Sequence, residues 1–397
     1  MSNEWLREAG FETLAIREGL TPGFEQEHSD PIYATSSFVF ESAEQAAATF
    51  SGERDGNTYS RFSNPTVSVF EKRLAALEGG QEGVATSSGM AAILTLCQTL
   101  LRAGDHVICS RNVFGSTVSL FNNILTKLDI SVTFVALREL DDWRQAVTPN
   151  TKLFFCETPS NPLCEVGNIR EIANIAHDSG ALLAVDNCFC TPALQRPLSL
   201  GADVVMHSAT KYLDGQGRVL GGALVGSEEL MAEARGFVRV CGPSMSPFNA
   251  WIFSKGLDTL QLRMDVHSQR AQALAEWLET HPDVKKVNYC GLASHPDHAL
   301  AASQQSAFGG VLSFEVDGGR DTAWVFINAV RLMSLTANLG DVKTTVCHPA
   351  STTHGRLTDV QKQQGNITEG LIRIAVGLED LEDLKRDCDR GFAAISA

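Results

Sequence analysis

Short apolar runs rich in β-branched residues recur along the middle of the chain, at Gly83–Ser87, His106–Cys109, Val132–Ala136, Leu153–Cys156, Leu182–Asp186, Val204–Met206 and Gly221–Val225. Longer stretches with apolar positions at helical spacing lie between them. Strands alternating with helices of about 10–15 residues predict a mainly parallel α/β sheet covered on both faces. Ahead of this region the first 80 residues look irregular. Turn-forming clusters at Thr21-Pro-Gly and Ser51-Gly-Glu-Arg-Asp-Gly-Asn predict an arm that packs on something else. Beyond it, Trp251, Leu257, Leu260, Leu262 and Leu274 recur at helical spacing from Pro247 to His281, which predicts a long helical stretch bridging two units. Strand-like runs at Val311–Val316 and Leu371–Val376 alternate with helical patterns near Asp321–Leu332 and Asp380–Ala394. They predict a smaller α+β domain. The organisation expected is an N-terminal arm over 1–60, a large α/β domain over 61–255 and a C-terminal α+β domain over 256–397.

Length agrees with that division, since 397 residues exceed the roughly 250–300 at which single cores stop growing. Charge narrows the partners. Asp+Glu number 47 against 32 Lys+Arg, a net −15 with no basic run, which excludes nucleic acid as an expected partner. The N-terminus, Met1-Ser-Asn-Glu-Trp-Leu-Arg-Glu-Ala, lacks the basic and apolar regions of a signal peptide, and no window of about 18 apolar residues follows. A soluble, cytoplasmic protein with no membrane partner is expected. Ten cysteines are scattered singly apart from Cys188 and Cys190, without a CxxC pair, so a reduced compartment fits better than a disulfide framework. The close histidine pair His295-Pro-Asp-His298 follows Gly291 and contains a proline. It reads as a polar loop off any helix face, and no metal site is expected.

In an open α/β sheet, ligands gather at the carboxyl ends of strands. The first run ends in Ser87-Ser88-Gly89-Met90-Ala91-Ala92, small residues opening a helix whose free amides and dipole suit an anion. The run Leu182–Val185 ends in the carboxylate of Asp186, and Val204–Met206 leads into His207-Ser208-Ala209-Thr210-Lys211-Tyr212. Each motif alone is as readily a turn or a cap. Together they supply what pyridoxal 5'-phosphate requires: a lysine for its Schiff base, a carboxylate that keeps the ring nitrogen protonated, and anion-binding groups for its phosphate.

On these residues the chain resembles the Cys/Met-metabolism family of pyridoxal-phosphate enzymes, which have the aspartate-aminotransferase-like fold (fold type I). The likeness extends over Tyr59-Ser-Arg61-Phe-Ser-Asn64-Pro-Thr, Ser87-Ser-Gly89-Met90, Glu157-Thr-Pro-Ser-Asn161-Pro, Val185-Asp186-Asn187, Ser208-Ala-Thr210-Lys211-Tyr212 and Leu371-Ile-Arg373-Ile-Ala-Val-Gly377-Leu-Glu379. It implies that Lys211 bonds to the cofactor and is the catalytic base, that Asp186 holds the ring nitrogen, and that Ser88, Ser208, Thr210 and the Gly89 and Met90 amides bind the phosphate. Tyr59 and Arg61 of the arm would reach the site of a neighbouring subunit, with active sites at the interfaces of a homotetramer built as a dimer of dimers. Arg373 would clamp the substrate carboxylate, with Asn161, Asn338 and Tyr59 also touching substrate.

Departures from the family pattern bear on the reaction. Phe114 stands where relatives carry a ring-stacking tyrosine, which keeps the apolar face but has no proton to transfer. Ser116 stands where methionine γ-lyases carry a reactive cysteine, and Asn338 replaces a commoner serine. Gly242–Trp251 and His348–Leu357 look most like O-succinylhomoserine sulfhydrylases. The activity implied is replacement of succinate by sulfide on O-succinyl-L-homoserine, giving L-homocysteine for methionine biosynthesis; cystathionine γ-synthase and γ-lyase chemistry are the alternatives. Arg356, Lys343 and Arg54 are candidates for binding the succinyl carboxylate.

Overall fold

The computed structural model describes residue 6, residues 8–23 and residues 25–396. The remaining parts of the expected arm and C-terminal domain, residues 1–5, 7, 24 and 397, lie outside the described residues. Seven strands form the larger sheet: β1 (Glu82–Thr86), β2 (His106–Ser110), β3 (Ser131–Val135), β4 (Thr151–Glu157), β5 (Leu182–Asp186), β6 (Val204–His207) and β7 (Gly222–Gly226). Their spatial order is β1-β7-β6-β5-β4-β2-β3, and β2 to β6 pair in parallel. Strand β7 runs antiparallel to both neighbours, β1 and β6. The carboxyl ends of β1, β4, β5 and β6 therefore meet along one edge.

Burial on both faces explains the continuous apolar runs. Leu153, Phe154, Phe155 and Cys156 of β4 are inaccessible, with Trp143 stacked on Phe154 at 5.7 Å on one side and Phe121 edge-on to Phe155 at 5.6 Å on the other. The helix Ile169–Asp178 covers the sheet with Ile169, Ile172, Ala173, Ile175 and Ala176, an apolar stripe at helical spacing.

A second sheet follows, made of β8 (Lys286–Asn288), β9 (Val311–Glu315), β10 (Ser334–Leu335), β11 (Thr345–Cys347) and β12 (Leu371–Ala375), in the order β10-β11-β12-β9-β8. Leu312, Phe314, Ile372 and Ile374 form its core with Phe326, Leu384 and Phe392 of the helices Gly319–Ala329 and Leu381–Ile395. Strand β12 is flanked by β11 and β9, so Arg373 projects from an interior strand.

Three expectations need correction. The first 80 residues are not irregular throughout, because Pro65–Glu78 is a 14-residue helix capped by the Asn64 side chain and ended by Gly79 in the left-handed region. Its apolar stripe of Phe70, Leu74 and Leu77 is interrupted in sequence by the buried charges Glu71, Arg73 and Glu78, which hid the period. The bridging stretch is two helices, Pro247–Leu257 and Leu260–Glu279. At the break, Arg263 donates to the Gly256 carbonyl at 2.6 Å, and Arg73 donates to the Asp258 carboxylate at 2.9 Å. These bonds hold the chain where the helix stops. Finally, His295–His298 is not a solvated loop: His295 and Asp297 are buried, Asp297 accepts from Arg138 at 2.7 Å and from the Val166 amide at 2.9 Å, and His298 opens the helix His298–Gln304.

Candidate active site

The common carboxyl edge of β1, β4, β5 and β6 carries a cavity of about 220 Å³. It collects Ser88, Gly89, Met90, Phe114, Asn161, Asp186, Ser208, Thr210, Lys211 and Arg373, residues drawn from both sheets. Asn338 lies next to it and accepts from the Lys211 amine at 2.5 Å. Tyr59 and Arg61 do not line it. Tyr59 is 41% exposed, and the Arg61 guanidinium lies over the Phe62 ring at 4.7 Å and donates to the Arg239 carbonyl.

The Ser88 side chain caps the helix Gly89–Leu100 by accepting from Ala91 N at 3.1 Å, while its carbonyl accepts from Ala92 N at 3.0 Å. The first two amides, Gly89 and Met90, stand outside the helical ladder at the positive end of the dipole. Two glycines make this edge possible. A Cβ on Gly89 would sit 2.7 Å from Ser208 Cβ, and one on Gly222 would sit 2.2 Å from the Ser88 carbonyl oxygen. The cradle of amides and hydroxyls so formed fits a phosphate dianion. Thr210 takes a structural part in it, its hydroxyl donating to Gly221 O at 3.3 Å and accepting from Gly221 N at 3.2 Å.

Asp186 ends β5 and accepts from the Cys188 amide at 3.0 Å. Burial pushes its carboxyl up, opposed by the Cys188 hydrogen bonds and the nearby His207 and Lys211 charges. Glu157 is its cross-strand neighbour on β4 and also lines the cavity. Burial and then the Asp186 charge raise Glu157 well above the usual carboxylate range. Two adjacent buried carboxyls do not both ionise readily, and burial raises both. Glu157 accepts from the Phe114 amide at 2.8 Å and thereby fixes the aromatic wall. Sequence reasoning gave Glu157 no role, although its place at a strand end was the same signal that singled out Asp186.

Beneath these groups His207 Nε2 and Glu78 Oε1 lie 2.5 Å apart, both fully buried, and Asn187 donates to the same Glu78 oxygen at 3.0 Å. Burial, with the Arg373 charge, lowers the Lys211 amine, while Cys188, Asp186 and Glu157 pull the other way. Arg373, 1% exposed, donates from Nη1 to Asn161 Oδ1 at 3.2 Å and from Nη2 to the carbonyls of Ala337 at 2.9 Å and Asn338 at 3.1 Å. Its Nε has no partner among the described residues, a buried donor available to an anion.

A larger cavity, about 570 Å³, lies between the arm and the helix Glu228–Cys241, where Arg235 already pairs with Glu71 at 2.9 Å. It brings together no comparable set of acid, base and anion donors.

The family described as Cys/Met metabolism PLP-dependent enzyme matches residues 12–393. The chain is 58% identical over 390 residues to an O-succinylhomoserine sulfhydrylase of Pseudomonas aeruginosa, covering 98% of this chain and 97% of that one. It is 41% identical over 398 residues to an L-methionine gamma-lyase of Porphyromonas gingivalis, covering both chains fully. A crystal structure of cystathionine gamma synthase from Xanthomonas oryzae pv. oryzae, in complex with aminoacrylate and cysteine, superposes with a TM-score of 0.93 at 36% identity, covering 98% of each chain.

Proposed function

Since the chain belongs to the Cys/Met-metabolism family of PLP-dependent enzymes, with the fold of type I members, we propose that it is an O-succinylhomoserine sulfhydrylase, replacing succinate by sulfide to give L-homocysteine. The observation that carries this reading is the 58% identity, over 98% of the chain, to the Pseudomonas aeruginosa sulfhydrylase. The position of Ser116 beside Lys211 and Phe114 favours it over γ-elimination, because no reactive thiol stands at that wall.

Pyridoxal phosphate, when bound, supplies an electron sink for negative charge that develops on the substrate carbons. The chain's own residues do the rest. Gly89 and Met90 amides with Ser88, Ser208 and Thr210 would receive the phosphate. Asp186 would hold the ring nitrogen, and the Phe114 ring would offer a face for stacking. Arg373 takes the substrate α-carboxylate through its unpartnered Nε, held rigid by Asn161 and two backbone carbonyls. Lys211, its amine pushed toward neutrality by burial, takes the Cα proton and returns protons along the substrate so that succinate departs from Cγ and hydrosulfide adds there.

We read Tyr59 and Arg61 as completing the site of a second copy, which fits their absence from the lining of their own chain's cavity; a dimer is then the minimum active unit and a tetramer the expected assembly. We also read the enzyme as cytoplasmic, supported by ten cysteines none of which forms a disulfide. The test is a product assay with O-succinylhomoserine and either sulfide or cysteine. Homocysteine as the main product supports the reading; cystathionine, or 2-oxobutyrate without added nucleophile, overturns it. Lys211→Ala is expected to abolish turnover together with the absorbance band of the lysine-bound cofactor.

A further inference from the structure

Beside the active-site cavity, and sharing Phe114, Lys211 and Ala337 with it, opens a second cleft of about 380 Å³. Its walls are the start of the helix Gly115–Asn123 and the loop from Thr352 to Leu357. The two touch closely, since a Cβ on Gly115 would sit 2.8 Å from the Thr353 carbonyl oxygen. The chain carries a net −15, yet among the described residues no carboxylate lines this cleft, and its charged groups are Lys211 and Arg356. Arg356 is exposed, and among the described residues it makes neither an ion pair nor a side-chain hydrogen bond. It contrasts with Lys343, which lies 3.9 Å from Asp341, outside both cavities.

The neutral donors of the cleft point the same way. Ser116 and Thr353 present hydroxyls, and the first amides of the helix Gly115–Asn123 lie outside its ladder. His354 also lines the cleft, 2% exposed; its Nδ1 bonds Thr353 Oγ1 at 2.9 Å, and its Nε2 has no partner among the described residues. Burial lowers this imidazole to about 4, so it stands near neutral pH as an uncharged polar group. An arginine free of carboxylates, with hydroxyls and a helix start around it, in the same cleft as the reactive lysine, is a receptor for an anion attached to the substrate.

We propose that Arg356, with Ser116 and the first turn of the helix Gly115–Asn123, binds the distal carboxylate of the acyl group that leaves the substrate, so that this cleft selects dicarboxylic acyl esters over acetyl esters. The inference rests on the sulfhydrylase reading for the ester it names. With Arg373 holding the α-carboxylate in the inner cavity, the substrate lies across Lys211 and its acyl tail enters the outer cleft. The acyl group thereby contributes positioning at the end that departs, and once the Cγ–O bond breaks, the free dicarboxylate is held only by Arg356, Ser116 and the helix start.

The test compares the holoenzyme with its Arg356→Gln, Arg356→Lys and Lys343→Gln variants at saturating sulfide. For Arg356→Gln, kcat/KM on O-succinylhomoserine is expected to fall about 10–100-fold, the size of one charge-assisted hydrogen bond, with O-acetylhomoserine changed less than about twofold. Arg356→Lys should recover part of the loss, because the charge stays and the fork is gone. Lys343→Gln should leave the ratio of esters unchanged. An unaltered ratio in Arg356→Gln, or equal losses on both esters, overturns the proposal. Calorimetric titration of the holoenzyme with succinate and with acetate separates this from a failure of the sulfhydrylase reading. Succinate binding should weaken about tenfold or more in Arg356→Gln even if sulfide proves not to be the nucleophile; equal binding in both proteins sinks the subsite.

Discussion

Gly222→Ala tests the anion cradle with the smallest possible change. The added Cβ would lie 2.2 Å from the Ser88 carbonyl oxygen, 2.5 Å from its carbon and 2.7 Å from Gly89 N, all backbone atoms that no rotamer change can move aside. Ordinary contact begins near 3.4 Å, so relief takes a displacement of about 1 Å at the start of the helix Gly89–Leu100. That carbonyl accepts from Ala92 N at 3.0 Å and from the Thr86 hydroxyl at 2.9 Å, and a shift of this size weakens both bonds. Overpacking of about 1–3 kcal/mol plus about 1 kcal/mol for a disturbed hydrogen bond gives a destabilisation of about 2–4 kcal/mol. The Gly89 and Met90 amides move with the turn. Losing one charge-assisted contact to the cofactor phosphate weakens pyridoxal-phosphate binding about 10–100-fold. The assay is titration of the apo-protein with pyridoxal phosphate, followed by the absorbance of the lysine-bound form, alongside urea unfolding. Gly236→Ala, in the helix Glu228–Cys241 with nothing within 4 Å of its added Cβ, is the control and should bind cofactor like the parent. If Gly222→Ala binds cofactor within about twofold of that control, a cradle rigidly set by the meeting of β7 and the Ser88 turn is wrong.

Arg373→Lys should lower kcat/KM about 10–100-fold with the cofactor absorbance unchanged, because a point charge cannot serve Asn161, two carbonyls and a substrate carboxylate together; altered cofactor binding would show a different role. Glu78→Ala should destabilise the fold by about 3–5 kcal/mol, since it leaves His207 fully buried without its partner, and urea unfolding within 1 kcal/mol of the parent would refute that (an order-of-magnitude bound). Burial also holds His267 at about 4, below its ordinary 6.5, so between those values the unfolded chain binds the extra proton. Its contribution is complete above about pH 6.5 and is lost as pH falls toward 4. His267→Gln should therefore reduce the slope of unfolding free energy against pH, measured between pH 5 and 6, by about one proton, or about 1.4 kcal/mol per pH unit; an unchanged slope would mean that His267 is protonated in the folded protein.

Much of this protein is legible in one dimension, for a physical reason. A parallel sheet buried on both faces requires continuous apolar strands, and a strand end is where a polar residue first escapes that burial, so Asp186, Lys211 and the Ser88 turn announce themselves by position. Membership of the family follows from those residues and their neighbours. The sequence was silent where burial contradicts chemistry. Glu71, Arg73 and Glu78 interrupt the stripe of a buried helix, and Asp297 is a buried tie in what reads as a polar loop. Glu157 matters because β4 lies beside β5 and brings it against Asp186, a pairing between residues 29 positions apart that no local period encodes. Arg356 likewise ranks with Lys343 and Arg54 in sequence; only the approach of the loop Thr352–Leu357 to the start of the helix Gly115–Asn123 places one of these three cations in a cleft with the lysine. Residue types and their periods thus determined the strands and pointed to the cofactor chemistry, while the family was legible as a resemblance carried by its motifs. Which charges share a cavity, and which buried carboxyls stand against one another, was decided by long-range packing alone.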